Sequence, residues 1–194
     1  MEYKTNKNQQ LSLFEPSATY QFKKPSLNQE YKMSDNYLQS WKKRIYNYQQ
    51  EAKKEQIKQT NLLTSENNIT WDTDNFDPFS IPTHTDQFYN LPKYNESESC
   101  LYFILDTELP LLLYVGETKL SPYQRWLNHD CKSYIQRYIE LHRQYKITTT
   151  VRSAFWWGIS PERHIRQRLE RDLILKWRSP FNKESWQHWG QPFK

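Results

Sequence analysis

The chain has 194 residues, 36% apolar and 16% aromatic, with eight Trp and a mean hydropathy of −1.03. Its net charge of +5 is uneven: residues 1–99 carry 12 Lys and Arg against 13 Asp and Glu, and residues 100–194 carry 15 against 9. Two cysteines exclude a disulfide framework, no apolar run reaches membrane-span length, and residues 1–30 lack a signal-peptide apolar region, so a cytosolic protein is expected.

Residues 1–33 read as a disordered tail, rich in Asn, Gln, Lys and Ser. Within it, Leu11, Leu13 and Phe14 form a short apolar cluster after Gln10. Residues 34–58 read as a helix capped by Ser34 or Asp35. Leu38, Trp41, Ile45 and Tyr48 recur at helical spacing, so one stripe packs on the domain; beyond Gln49 the helix turns polar and should fray. Residues 59–99 hold three prolines and no periodicity, so they read as an extended arm without strand or helix. Trp71, Phe76, Phe79, Phe88 and Tyr89 are its candidate anchors.

The compact domain is expected over residues 100–194, where the basic excess lies. The runs "CLYFILD" and "LLLYVG", joined by "TELP", read as a buried β-hairpin. "SPYQRWLNHD" opens with Ser and Pro, a helix start, and "CKSYIQRYIELHRQ" continues helically. "ITTTVRSAFWWGI" is β-branched and aromatic and reads as a third strand. "SPERHIRQRLERDLILKW" reads as a helix to about Trp177, stopped by Pro180. Trp186 and Trp189 should seal this last helix against the sheet. The class is α+β: a small three-stranded antiparallel sheet flanked by helices.

Strand alternation places Tyr102 with Ile104 on one face of the first strand, and Tyr114 with Gly116 on one face of the second. A hairpin can bring both phenols to the same side. Arg125 and His129, four apart, project from one helix face. Glu170 lies beside the apolar stripe of Ile165, Leu169 and Leu173. A carboxylate at a core edge needs a partner, either Arg166 or a divalent metal. Trp156 and Trp157 point to opposite strand faces and read as core. No Cys/His zinc spacing or Gly-rich phosphate loop occurs.

These residues together resemble the GIY-YIG nuclease family over about residues 100–183. Cys100-Leu101-Tyr102 stands where the family has Gly-Ile-Tyr, Tyr114-Val115-Gly116 for Tyr-Ile-Gly, and Arg125, His129, Glu170 in "ERDLI" and Asn182 follow in order. The chain departs from the pattern at Cys100, and at Glu117, where many members are basic; Glu117 has Arg125 as a candidate partner. The resemblance implies phosphodiester hydrolysis with one divalent metal, magnesium or alternatively manganese. It implies Glu170 as the metal-holding residue, Tyr102 and Tyr114 for water and phosphate, and Arg125 for transition-state charge. His129 would accept a proton or contact phosphate, and Asn182 would support the metal-site geometry, with Gly116 allowing close approach.

Gln10-Leu11-Ser12-Leu13-Phe14 resembles the peptide by which many bacterial replication and repair proteins bind the sliding clamp. The resemblance implies Leu13 and Phe14 in an apolar pocket and Gln10 on polar groups beside it; the alternative is packing on the protein's own domain. The combined expectation is a DNA endonuclease for branched or damaged DNA, such as four-way Holliday junctions, in repair, recombination or replication. A restriction or homing-type nuclease and a non-catalytic DNA-binding adaptor are the alternatives, and the oligomeric state is left open.

Overall fold

The computed structural model describes residues 33–59, 72–84, 99–119 and 131–193, with side chains from 55 to 59 excepted. All of them lie in the unit Tyr31–Lys194. The clamp-like peptide, the helix expected over residues 121–130 with Arg125 and His129, and the anchors Trp71, Phe88 and Tyr89 fall outside the described residues.

Helix α1 spans Asp35–Gln59, with Ser34 Oγ accepting from Tyr37 N at 3.4 Å. Leu38, Trp41 and Ile45 are completely buried, as their spacing requires. Each such side chain contributes about 1.5–3 kcal/mol by leaving water. Met33, read as tail, is also buried, and its carbonyl accepts from Tyr145 Oη at 2.8 Å. The helix runs on past Gln49 to Gln59, close to its expected end. Gln49 is itself buried, its Nε2 donates to Leu112 O and Trp177 O at 3.0 Å, and its Oε1 accepts from Leu112 N at 2.9 Å. An amide can enter the core because strand and helix termini leave backbone groups for it to satisfy.

Strands β1 (Thr83–His84), β2 (Cys100–Asp106), β3 (Leu111–Thr118) and β4 (Val151–Trp157) form one antiparallel sheet in the order β1-β4-β2-β3. The sheet has four strands rather than three. Thr83 and His84 pair with Ala154 and Ser153 at the edge, directly after Pro82. An edge strand bonds on one side only, so a neighbouring proline is tolerated, and two residues are too few to show a periodicity. The turn of 3₁₀-helix Pro78–Ser80 precedes it, capped by the Asp77 side chain.

Alternation along β2 divides the core. Leu101, Phe103 and Leu105, with Leu112, Val115 and Ala154, meet Leu169, Leu173, Ile174 and Trp177 of helix α3 (Arg163–Trp177). Ile104, with Leu111, Leu113 and Val151, meets α1 and Ile135, Tyr138 and Leu141 of helix α2 (Cys131–Gln144). The layers are therefore α1 and α2, sheet, α3. Phe76 extends the α3 layer, stacking on Trp156 at 4.1 Å, and Phe79 meets Trp177 edge-on at 5.8 Å. Lys176 Nζ donates to the carbonyls of Thr73 and Asp74, tying this part of the arm to α3.

Helix α3 starts two residues later than its Ser-Pro pair suggested. Glu162 is the N-cap residue, and Ser160 Oγ instead accepts from Glu162 N at 3.2 Å. The helix stops before Pro180, at Arg178, which adopts a left-handed φ of 47° and donates its N–H to Ile174 O at 2.8 Å. Trp189, in the short helix α4 (Trp186–Trp189), donates to Arg178 O at 2.6 Å and meets Tyr48 of α1. Trp186 meets Tyr134 of α2. The two tryptophans thus close the end of α3 against the opposite helical layer rather than against the sheet. Cys100 and Cys131 are both reduced and buried.

Candidate active site

The β2–β3 register places Tyr102 opposite Gly116, and Ile104 opposite Tyr114. The phenols share one face, with ring centroids 5.8 Å apart and planes at 34°. Tyr102 is 4% exposed; Tyr114 is half-buried. The Tyr102 ring lies directly over Gly116. A Cβ there would sit 2.6 Å from Tyr102 Cε1 and nearer still to Cζ and Oη. Gly116 is required by this close approach, since it lies in a regular strand and carries no positive φ. Phe155 of β4 lies opposite Tyr102 on the other side and stacks on Trp157 at 5.5 Å.

Asn182 holds this strand along its outer edge. It is buried, its Nδ2 donates to Val115 O at 2.9 Å, and its Oδ1 accepts from Val115 N at 3.0 Å and Ser179 Oγ at 2.7 Å. The amide acts as a short strand segment paired with Val115, the residue between Tyr114 and Gly116. Both its polar groups are used in this way, so its contribution is to backbone position.

Glu170 is half-buried on the inward stripe of α3, between Arg166 one turn before it and Ile174 one turn after it. Arg166 is buried and pairs with Glu117 of β3, its Nε 2.8 Å from Oε2. Its Nη1 donates to Ser160 O at 3.2 Å and Pro161 O at 2.6 Å. This bridge between α3 and β3 is not among the pairings weighed from the sequence, where Arg125 is a candidate partner for Glu117 and Arg166 or a metal for Glu170; Arg125 lies outside the described residues. Residues far apart in sequence that meet only through strand-helix packing leave no local signal.

Cys100 occupies the first motif position as an ordinary paired strand residue, opposite Thr118 and Trp157 and completely buried. Among the described residues, non-glycine left-handed backbone occurs at Lys146, Arg178 and Phe193, not at Cys100. The position therefore needs no glycine, and a small buried thiol fills it.

Among the described residues no group of three His, Cys, Asp or Glu side chains could hold a metal. The donor set still fits magnesium, which keeps several waters and takes one or two carboxylates together with substrate phosphate. Glu170 is a hard oxygen donor of that kind, and Asn182 fits a supporting place rather than a ligand's.

A second polar cluster lies at the other end of β2. Asp106 is completely buried; its Oδ2 accepts from Lys42 Nζ at 3.1 Å, Tyr138 Oη at 2.6 Å and Thr149 Oγ1 at 3.0 Å. Its Oδ1 accepts from the backbone of Glu108 and Thr150 at 3.1 and 3.3 Å. His142 Nδ1 donates to Tyr138 O at 2.7 Å, which leaves Nε2 to accept from Lys42 Nζ at 2.8 Å. Burial pushes the Asp106 carboxyl up, but the Tyr138 bond and the Lys42 charge outweigh it and hold the carboxyl below its ordinary value. Burial, then the Lys42 charge, hold His142 below the ordinary imidazole value.

No curated protein and no solved structure matches the chain significantly. Residues 98–185 match the family model of the GIY-YIG catalytic domain, the stretch that holds both phenols, Gly116, Glu170 and Asn182. Residues 98–185 thus form a GIY-YIG catalytic domain, which indicates a GIY-YIG-type endonuclease, a phosphodiester hydrolase.

Proposed function

We propose that the phenol face and Glu170 cut branched or damaged DNA with a divalent metal, in repair, recombination or replication, and that residues 10–14 deliver the enzyme to the sliding clamp. The observation that carries the reading is the seat of Tyr102 over Gly116 with Tyr114 beside it, inside the segment that matches the catalytic domain. Glu170 would hold the metal, magnesium or manganese, with Asn182 supporting its surroundings. When bound, such an ion polarises the phosphate and offsets charge on the leaving oxygen.

The chain's own residues do the rest. Tyr102, nearly buried beside a second phenol, helps activate the attacking water: its hydroxyl first gives up its own proton, aided by its surroundings, and the phenolate oxygen then takes the proton that the water loses as it attacks. Tyr114, more open, hydrogen-bonds water or a phosphate oxygen. Arg125 and His129, one turn apart in sequence, are assigned to the extra negative charge of the transition state and to phosphate contact. The basic balance of residues 100–194 favours a polyanion. The ordinary strand geometry of Cys100, the departure that kept the non-catalytic adaptor as an alternative, supports the catalytic reading.

The test uses the full chain with magnesium on linear, flap, fork and four-way-junction DNAs, beside Glu170→Ala. Magnesium-dependent cutting of branched substrates, lost in the variant, supports the reading. Binding without cutting under magnesium and manganese overturns it, and cutting of linear DNA at one sequence favours the restriction or homing type. For delivery, Leu13→Ala combined with Phe14→Ala should abolish binding to a bacterial clamp; unchanged binding, or none by the parent, returns these residues to self-packing.

A further inference from the structure

We propose that Glu117 is a positioning residue for the metal site: it holds Arg166, and through it sets the place of Glu170 against the phenol strand. The inference rests on the metal-dependent reading given above. Glu117 follows Gly116 directly and, by alternation, points to the opposite sheet face, where α3 packs. It meets Arg166 at 2.8 Å, with side-chain exposures of 18% and 4%. Arg166 precedes Glu170 by four residues and lies on the same stripe. The connection therefore runs from Gly116 to Glu117 along the strand, from Glu117 to Arg166 by the ion pair, and from Arg166 to Glu170 by one turn of the same helix.

The geometry gives that connection rigidity. Arg166 has acceptors at Glu117, Ser160 and Pro161, and a planar guanidinium with several partners is fixed in direction as well as in place. The start of α3 has no side-chain cap, so Arg166 supplies the attachment there. At the far side Asn182 grips Val115. The segment Val115–Glu117 is thus held twice, at the Glu117 side chain by Arg166 in the first turn of α3 and at the Val115 backbone by Asn182, five residues past the end of α3. Two attachments fix both the rotation and the translation of a helix on a strand, and hence the height of Glu170.

A pair that served only stability would leave metal binding unchanged. The experiment titrates Mn2+ alone into the full chain, read by electron paramagnetic resonance, for the parent, Glu170→Ala and Glu117→Gln, with melting curves and cleavage kinetics. Glu117→Gln is a near-isosteric change at a partly exposed site, and its melting curve identifies folded protein. The expected result is Mn2+ affinity lowered about tenfold or more, as for other residues that orient a ligand, with kcat falling and KM for DNA within about twofold. Arg166→Gln should lose affinity similarly, and the double variant should lose no more than either alone. Parent-like Mn2+ affinity in folded Glu117→Gln overturns the inference while the metal reading stands. If the parent and Glu170→Ala bind Mn2+ alike, the metal reading itself fails and takes this inference with it.

Discussion

The two ends of β2 carry similar chemistry and opposite surroundings. At one end Asp106 sits under Lys42, Tyr138 and Thr149, with His142 behind Lys42. At the other end Tyr102 and Tyr114 lie beside Gly116, with Glu117, Arg166 and Glu170 on the adjoining elements. By residue type alone, the Asp106 end has the stronger appearance of a catalytic cluster. Yet both its carboxylate oxygens are bonded within the protein, and Asp106 and His142 are completely buried. No substrate atom reaches it. Residue type nominates a site; satisfied hydrogen bonds and burial decide whether its chemistry faces inward or outward.

The contrast is open to attack. Asp106→Ala removes one partner of a buried ion pair and leaves Lys42 uncompensated, so it should cost about 3–5 kcal/mol of stability in urea unfolding. If that variant stays as stable as the parent but stops cutting DNA, the two ends have been assigned the wrong way round. Glu170→Ala should do the reverse: cleavage down about 10²–10³-fold, with little change in melting temperature. Gly116→Ala sharpens the phenol end. A methyl driven against Tyr102 should cost about 1–3 kcal/mol by overpacking and lower cleavage with it, and Gly116→Ala with Tyr102→Ala should recover stability but not activity.

The smallest effect is in pH. His142 is held below its ordinary value, near about 6.5, so the unfolded chain binds a proton that the folded chain refuses. This contribution is fully present above about pH 6.5 and is lost as pH drops from there toward the folded value. Asp106, also held low, adds a second loss below about pH 4. Urea midpoints across this range should show the first slope in the parent and lack it in His142→Gln. The same slope in both would place the protonation elsewhere.

Much of the fold is legible in order along the chain. Leu38, Trp41 and Ile45 announce the buried stripe of α1, and the apolar runs of β2 and β3 announce a hairpin. Alternation alone places Tyr102, Tyr114 and Gly116 on one face, because a strand repeats every two residues. Periodicity failed for Gln49, where the deciding feature is a backbone group of Leu112 or Trp177 left for an amide to satisfy. It failed also for Thr83-His84, too short to show a period.

The sequence by itself determined the order of α1, β2, β3, α2, β4 and α3, the shared face of the phenols and the candidate carboxylate on an amphipathic helix, because these follow from local periods and from residue types. Only the tertiary structure decided that Glu117 takes Arg166, that Asn182 grips Val115, and that Asp106 closes a sealed network. Each of those joins residues 32 to 67 positions apart. Such partners are chosen by which backbone and charged groups packing leaves without water, a quantity that no local pattern in the chain encodes.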